Sequence, residues 1–377
     1  MNERNSKMEL LGSAPIPKAL LAMGLPTMIG MMINALYNLV DAYFVGGLGT
    51  SQMGAISVAF PLGQVIVGLG LLFGNGAASY ISRLLGHGET ETADRVASTA
   101  LYSSISVGAV IIICTILFLR PILRLLGATE SILPYAEIYA GIYVVSSIFN
   151  IFNVTMNNIV TSEGAAKTTM CALLTGAVLN MVLDPVFIYV LHLGVAGAAI
   201  ATAISQIVST VVYLCYVFRK KSVFSFSIKK CCFSSEIMSE ILKIGIPTLV
   251  FQLLTSLSVA LINLKARPYG DSVIAGMGAV TRIISMGSLM VFGFLKGFQP
   301  IAGYSYGAKK YDRLHEAIKT SIIWSTIFCA VFGLGMALCS TAVISQFTKG
   351  DVQMIEIGRR SLTANGISFL LFGFYTV

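Results

Sequence analysis

Charge is scarce in this sequence. Of 377 residues only 11% are Asp, Glu, Lys or Arg, where a soluble domain carries about 25%. That shortage excludes a surface wetted on all sides. Histidine is nearly absent as well: His87, His192 and His315 all stand at the ends of apolar runs, where solvated loop positions are expected. There is no GxxxxGK[ST] stretch, which excludes an ATP-driven motor within the chain, and neither HExxH nor GxSxG occurs. No enzyme is expected. The seven cysteines show no metal-ligand spacing, with Cys231 and Cys232 adjacent in a polar connection and the others inside apolar segments. They read as free thiols.

What the sequence has instead is apolar length. Hydrophobic residues make up 56% of the chain. They gather into ten runs, at 16–46, 52–82, 95–119, 132–160, 166–191, 195–218, 238–264, 273–305, 318–340 and 352–377. A bilayer core takes about 20 apolar residues per helix. The expected fold class is therefore an all-α polytopic membrane protein with about ten transmembrane helices. The tenth run is the weakest, because Arg359 and Arg360 lie within it. Met1–Ala14 is polar and leads straight into the first run, so no signal peptide is expected.

The net charge of +8 is a matter of topology. If the N-terminus is cytoplasmic, 16 of the 25 Lys and Arg fall on the inner side, seven on the outer side, and Arg282 and Lys296 within a span. That bias fits the positive-inside rule and orients the chain. Nucleic acid is not an expected partner; the lipid bilayer is.

The longest internal polar stretch, RKKSVFSFSIKKCCFSSE at 219–236, separates six runs from four, and the second set repeats landmarks of the first. LLAMGLPT (20–27) matches ILKIGIPT (241–248), GLLFG (70–74) matches GFLKG (293–297), and RLLGHGETETADR (83–95) parallels YSYGAKKYDRLHE (304–316). The offset of 221–223 residues is close to the length of the first half. Two six-helix lobes in pseudo-two-fold relation are expected: an N-lobe at 1–218, a cytoplasmic linker at 219–236, and a C-lobe at 237–377. A second lobe like the first needs two further spans, so the chain is expected to be a fragment or a truncated gene product.

Two aspartates, Asp41 and Asp184, fall deep in apolar runs, where a carboxylate costs roughly 2.5–3.5 kcal/mol. Glu163 and Glu137 lie near the two ends of the fourth run, within reach of water. Around the aspartates the polar residues keep helical spacing. Asn34, Tyr37, Asn38 and Asp41 form one stripe; Asn150, Asn153 and Asn157 another; Asn180 and Asp184 a third; Thr202, Ser205, Gln206 and Ser209 a fourth. Four such stripes imply a wet cavity rich in oxygen, suited to Na⁺ or a proton. Any single Asn or Thr could equally serve as glue between helices. Pro26 and Pro185 are expected to kink their helices, the second directly beside Asp184. The second half has no equivalent acid. Its seventh-run stripe is Gln252, Thr255, Ser256 and Asn263, and Lys296 either snorkels or faces the cavity.

GLPT in the first run, NLVDAYFVGGLG (38–49), NMVLDP (180–185), GVAGAAIATAISQ (194–206) and GFQPIAGYSYGAKKYDR (297–313) together resemble the multidrug and toxic compound extrusion (MATE) family, in its bacterial MepA-like subgroup. The resemblance implies twelve spans in two lobes and export of organic cations or amphipathic drugs in exchange for Na⁺ or H⁺. It implies an ion site, the metal site if the ion is Na⁺, at Asp41, Asn180, Asp184 and Thr202. Tyr37 and Asn157 match cavity positions. It also implies a monomer in the bacterial inner membrane with no cofactor. The rival readings are a flippase for lipid-linked saccharides, disfavoured by an acidic first-half cavity, and a non-transporting remnant.

Overall fold

The computed structural model describes residues 3–48, 50–266, 271–345 and 352–377, and the described residues are almost wholly helical. A short helix, α1 (Glu3–Gly12), precedes α2 (Ile16–Gly46), which carries Pro17 in its first turn, where the missing N–H costs nothing. Next come α3 (Thr50–His87), α4 (Thr90–Leu117), the stub α5 (Leu119–Leu125), α6 (Leu133–Ser162), α7 (Ala166–Pro185) and α8 (Gly194–Phe218). The second half holds α9 (Ser235–Ala266), α10 (Asp271–Gly307), α11 (Tyr311–Leu338), the stub α12 (Ser340–Ser345), α13 (Val352–Phe369) and α14 (Phe372–Thr376).

The repeat seen in the sequence is a repeat of helices. α2 and α9 have 31 and 32 residues, α3 and α10 have 38 and 37, and α4 and α11 have 28 each. Even the stubs α5 and α12 fall at the same place in each half. Among the described residues nine helices are long and apolar enough to cross a membrane. The tenth run departs from this pattern. It forms the 18-residue α13, a turn at 370–371, and then α14. Its Glu356, paired with Arg359 at 3.0 Å and Arg360 at 2.6 Å, makes it too polar to count with the others.

The halves meet along two seams, α2 against α10 and α3 against α9 and α10. Small residues let the backbones close in. A β-carbon on Gly297 would lie 2.5 Å from Gly24 Cα, and one on Gly293 would lie 2.7 Å from Met28 Cα. Around this contact Leu11, Ile16, Leu20 and Met23 pack with Phe294, Ile301 and Ala317 in one apolar cluster. Gly297→Val should therefore wedge α2 from α10, at about 1–3 kcal/mol for overpacking. A thermal unfolding midpoint unchanged from wild type would show that the seam is loose.

At 1.5 Å per residue α3 is about 57 Å long and overshoots a bilayer core of about 30 Å. Its last turns project from the face where α1 lies, here the N-terminal face. This face is closed by polar ties between the halves. Arg83 pairs with Glu240 at 2.9 Å. Lys310 donates to the Gly12 carbonyl at 2.8 Å, and Arg313 donates to the carbonyls of Ala14 at 2.6 Å and Leu11 at 3.2 Å.

The same face corrects the expectation for Glu163. It does not reach water: it is 0% exposed. Gly164, at φ +91°, turns the chain immediately after it. Glu163 is enclosed by Lys7 of α1 (ion pair at 3.5 Å), the Tyr216 hydroxyl of α8, and Ser222 Oγ and Val223 N–H of the linker at 2.9 and 2.7 Å. A second buried carboxylate, Asp94, accepts from Ser225 N–H at 2.9 Å, Ser225 Oγ at 2.8 Å and Lys230 at 2.6 Å. Phe224 and Phe226 are buried between these ties. Glu137, at the other end of α6, is partly exposed and paired with Arg120 at 2.7 Å.

Candidate ion and substrate cavity

Between the halves lies a cavity of about 620 Å³. The polar stripes read from the sequence form much of its wall. Asn34, Tyr37 and Asp41 line it from α2; Asn150, Asn153 and Asn157 from α6; Asn180 from α7; and Thr202, Ser205, Gln206 and Ser209 from α8. The side chains of Asn38, Ser256 and Asn263 lie outside those the structure describes. Asp184 stands just behind the wall, 0% exposed.

The aspartates come together. Asp41 and Asp184, from helices far apart in sequence, are close enough for their carboxyl groups to interact directly. Two ionised carboxylates so close repel, and a proton or a cation between them relieves that repulsion. Asn180 Nδ2 lies 3.4 Å from Asp184 Oδ1 and 3.4 Å from Thr202 Oγ1, the long limit for a hydrogen bond. Asp41 Oδ1, Asp184 Oδ2 and Asn180 Oδ1 are buried without a hydrogen-bond partner. Unpaired buried oxygens are costly. Their convergence beside a hydroxyl forms an oxygen-rich donor set that fits a hard monovalent cation or a proton.

α7 is shaped around this point. Pro185 ends its regular turns, and Val186–Val190 continue as a π-helical turn. The wider turn accommodates the bonds that proline cannot make. α2 stays α-helical through Pro26, and Thr27 Oγ1 donates to the Met23 and Gly24 carbonyls at 2.9 Å each.

Other stripe members bind helices as well as lining the wall. Asn153 donates to Gln206 Oε1 at 2.8 Å and accepts from Thr210 at 3.0 Å, joining α6 to α8. Asn157 donates to the Tyr213 hydroxyl at 3.1 Å. Gln252 from α9 donates to Gln64 of α3 at 2.7 Å, and both line the cavity. Lys296 faces the cavity and donates to Asn157 Oδ1, which resolves the choice between snorkelling and facing inward. The sequence reading missed Gln64 and the stacked pair Tyr139 and Tyr143, whose ring centroids are 5.9 Å apart. Both tyrosines extend the Asn150–Asn157 stripe towards the start of α6, so the helical period held the signal.

Comparison with known proteins agrees with this architecture. The MatE family model matches residues 26–186 and 247–377. Multidrug export protein MepA of Staphylococcus aureus (strain NCTC 8325 / PS 47) is 31% identical over 377 residues, covering 98% of this chain and 83% of that protein. Its counterpart in Staphylococcus haemolyticus (strain JCSC1435) is 32% identical over 364 residues, covering 94% of this chain and 80% of the relative. Among solved structures, the outward-facing conformation of a multidrug resistance MATE family transporter of the MOP superfamily superposes with a TM-score of 0.91 at 29% identity, covering 97% of this chain and 82% of that one. A two-lobed helical membrane fold, the internal repeat and these matches agree: the chain belongs to the MATE family of multi-pass membrane transporters.

Proposed function

We propose that this protein exports amphipathic organic compounds, organic cations included, from the bacterial cytoplasm across the inner membrane in exchange for Na⁺ or H⁺. The observation that carries the reading is the Asp41–Asp184 pair, with its unpartnered oxygens beside Asn180 and Thr202, at the wall of a drug-sized cavity. The N-terminal face, cytoplasmic by its charge, is closed by the Arg83, Lys310 and Arg313 ties. In this conformation an ion from outside enters the carboxylate site and substrate leaves outward. Breaking those ties returns the cavity to the cytoplasm. Coupling requires only that ion and substrate favour different states, so that each lowers the affinity for the other.

The test is efflux of a fluorescent organic cation from liposomes under an imposed Na⁺ gradient and, separately, a pH gradient. Concentrative movement in one of the two names the coupling ion. Movement that only follows the dye's own gradient in both conditions would end the antiport reading.

A further inference from the structure

The cavity holds a second charge, far from the carboxylate pair. Lys296 of α10 donates to Asn157 Oδ1, and Asn157 in turn donates to the Tyr213 hydroxyl at 3.1 Å. All three side chains line the cavity. Among the described residues no Asp or Glu lies within ion-pair distance of Lys296, so its hydrogen-bond partner is a neutral amide. An ammonium group presents three donors and seeks an anion.

The helix contacts fix how far apart the two charged ends are. Gly297 packs on Gly24, so Lys296 sits level with that turn of α2, and Asp41 is seventeen residues further along the same helix. At 1.5 Å per residue this is about 25 Å. α8 gives an independent measure: Tyr213, bonded to Asn157, and Thr202, near Asn180, are eleven residues apart, or about 16 Å. At either distance the carboxylates are too remote to act as the counter-ion of Lys296. Between the two ends the wall alternates apolar side chains, Met31, Val67, Leu71 and Leu289, with neutral amides and hydroxyls, and carries no other charge among the described residues.

We propose that Lys296, with Asn157 and Tyr213, forms a subsite for the anionic group of the exported molecule, so that amphiphiles bearing a carboxylate, zwitterions above all, are preferred over pure cations of the same shape. This deepens the export reading and rests on it. Ion coupling and recognition of substrate charge are then handled at opposite ends of one cavity. A carboxylate delivered to Lys296 forms a charge-assisted hydrogen bond, which an ester in the same place cannot match.

Tetramethylrhodamine, which carries a free carboxylate, and its methyl ester provide the test. Their affinities for the purified full chain are measured by fluorescence polarisation, and their efflux is measured from liposomes. Wild type should bind the acid about tenfold more tightly than the ester. Lys296→Gln should lose that preference, weakening the acid about tenfold more than the ester, and Lys296→Arg should keep it. A wild type without preference, or a K296Q variant weakened equally towards both dyes, overturns the proposal. The preference in binding without gradient-driven efflux of either dye would leave the subsite standing and remove the exporter reading. Driven efflux with no discrimination would do the reverse.

Discussion

Asp184→Asn should abolish gradient-driven accumulation while leaving the protein folded. Asp184 is 0% exposed, and one of its oxygens has no hydrogen-bond partner. Asn has the same shape and keeps an oxygen towards Asn180, so packing survives. Removing a charge from a buried site relieves desolvation. What disappears is the group that binds the ion differently in the two states. Coupling free energies of this kind are about 1–3 kcal/mol, or about 5–150-fold in affinity, and the whole of that effect should be lost. The dye should then only equilibrate across the liposome membrane. Asp41→Asn should behave alike, because the two carboxyl groups share one site. A D184N protein that still concentrates dye against its gradient would remove Asp184 from the mechanism.

The second large effect concerns stability. Glu163→Ala should lower the unfolding free energy by about 3–5 kcal/mol, the usual cost of stripping one member from a buried charge pair. It would leave Lys7, the Tyr216 hydroxyl and the Val223 N–H without their shared acceptor. Burial pushes the Glu163 carboxyl above its ordinary value of 4.5, against the pull of Lys7, Tyr216, Val223 and Ser222. The folded chain therefore holds this proton more tightly than the unfolded one. The contribution is complete below 4.5 and is lost as pH rises through the folded value. Glu163→Gln should flatten that slope at a smaller cost than Ala. Thermal unfolding of wild type and both variants across a pH series checks both statements. An Ala variant as stable as wild type would mean that the ties are ornamental.

Much of the cavity was legible in the sequence because helical spacing and scarce charge both speak plainly inside a membrane. Asn34, Tyr37 and Asp41 could only be one stripe, and the Asn180–Asp184 pair could only face one way. The meeting of α2 with α7 at Asp41 and Asp184 followed from the cost of leaving either carboxylate in lipid. Tyr139 and Tyr143 escaped notice because aromatic rings suit lipid and cavity equally, so their type carries no direction. Lys296 remained open for the same reason: a long cationic side chain can reach either way, and only the packing of Gly297 on Gly24 decides. Glu163 was misjudged because its burial is made by residues distant in sequence. Lys7 folds back from the N-terminus and Ser222 from the linker, and nothing local to the end of α6 announces either.

The polar stretch between the halves is less slack than its composition suggests. Residues 222–232 are fastened to the first half through Glu163, Asp94 and the Thr99 hydroxyl, which accepts from Cys232 N–H at 3.0 Å. Only Phe233 and Ser234 remain between the last of these ties and the first turn of α9. In the proposed alternation between states, any shift of α9 relative to these ties falls on that dipeptide. The rest of the tether is bound to the first half.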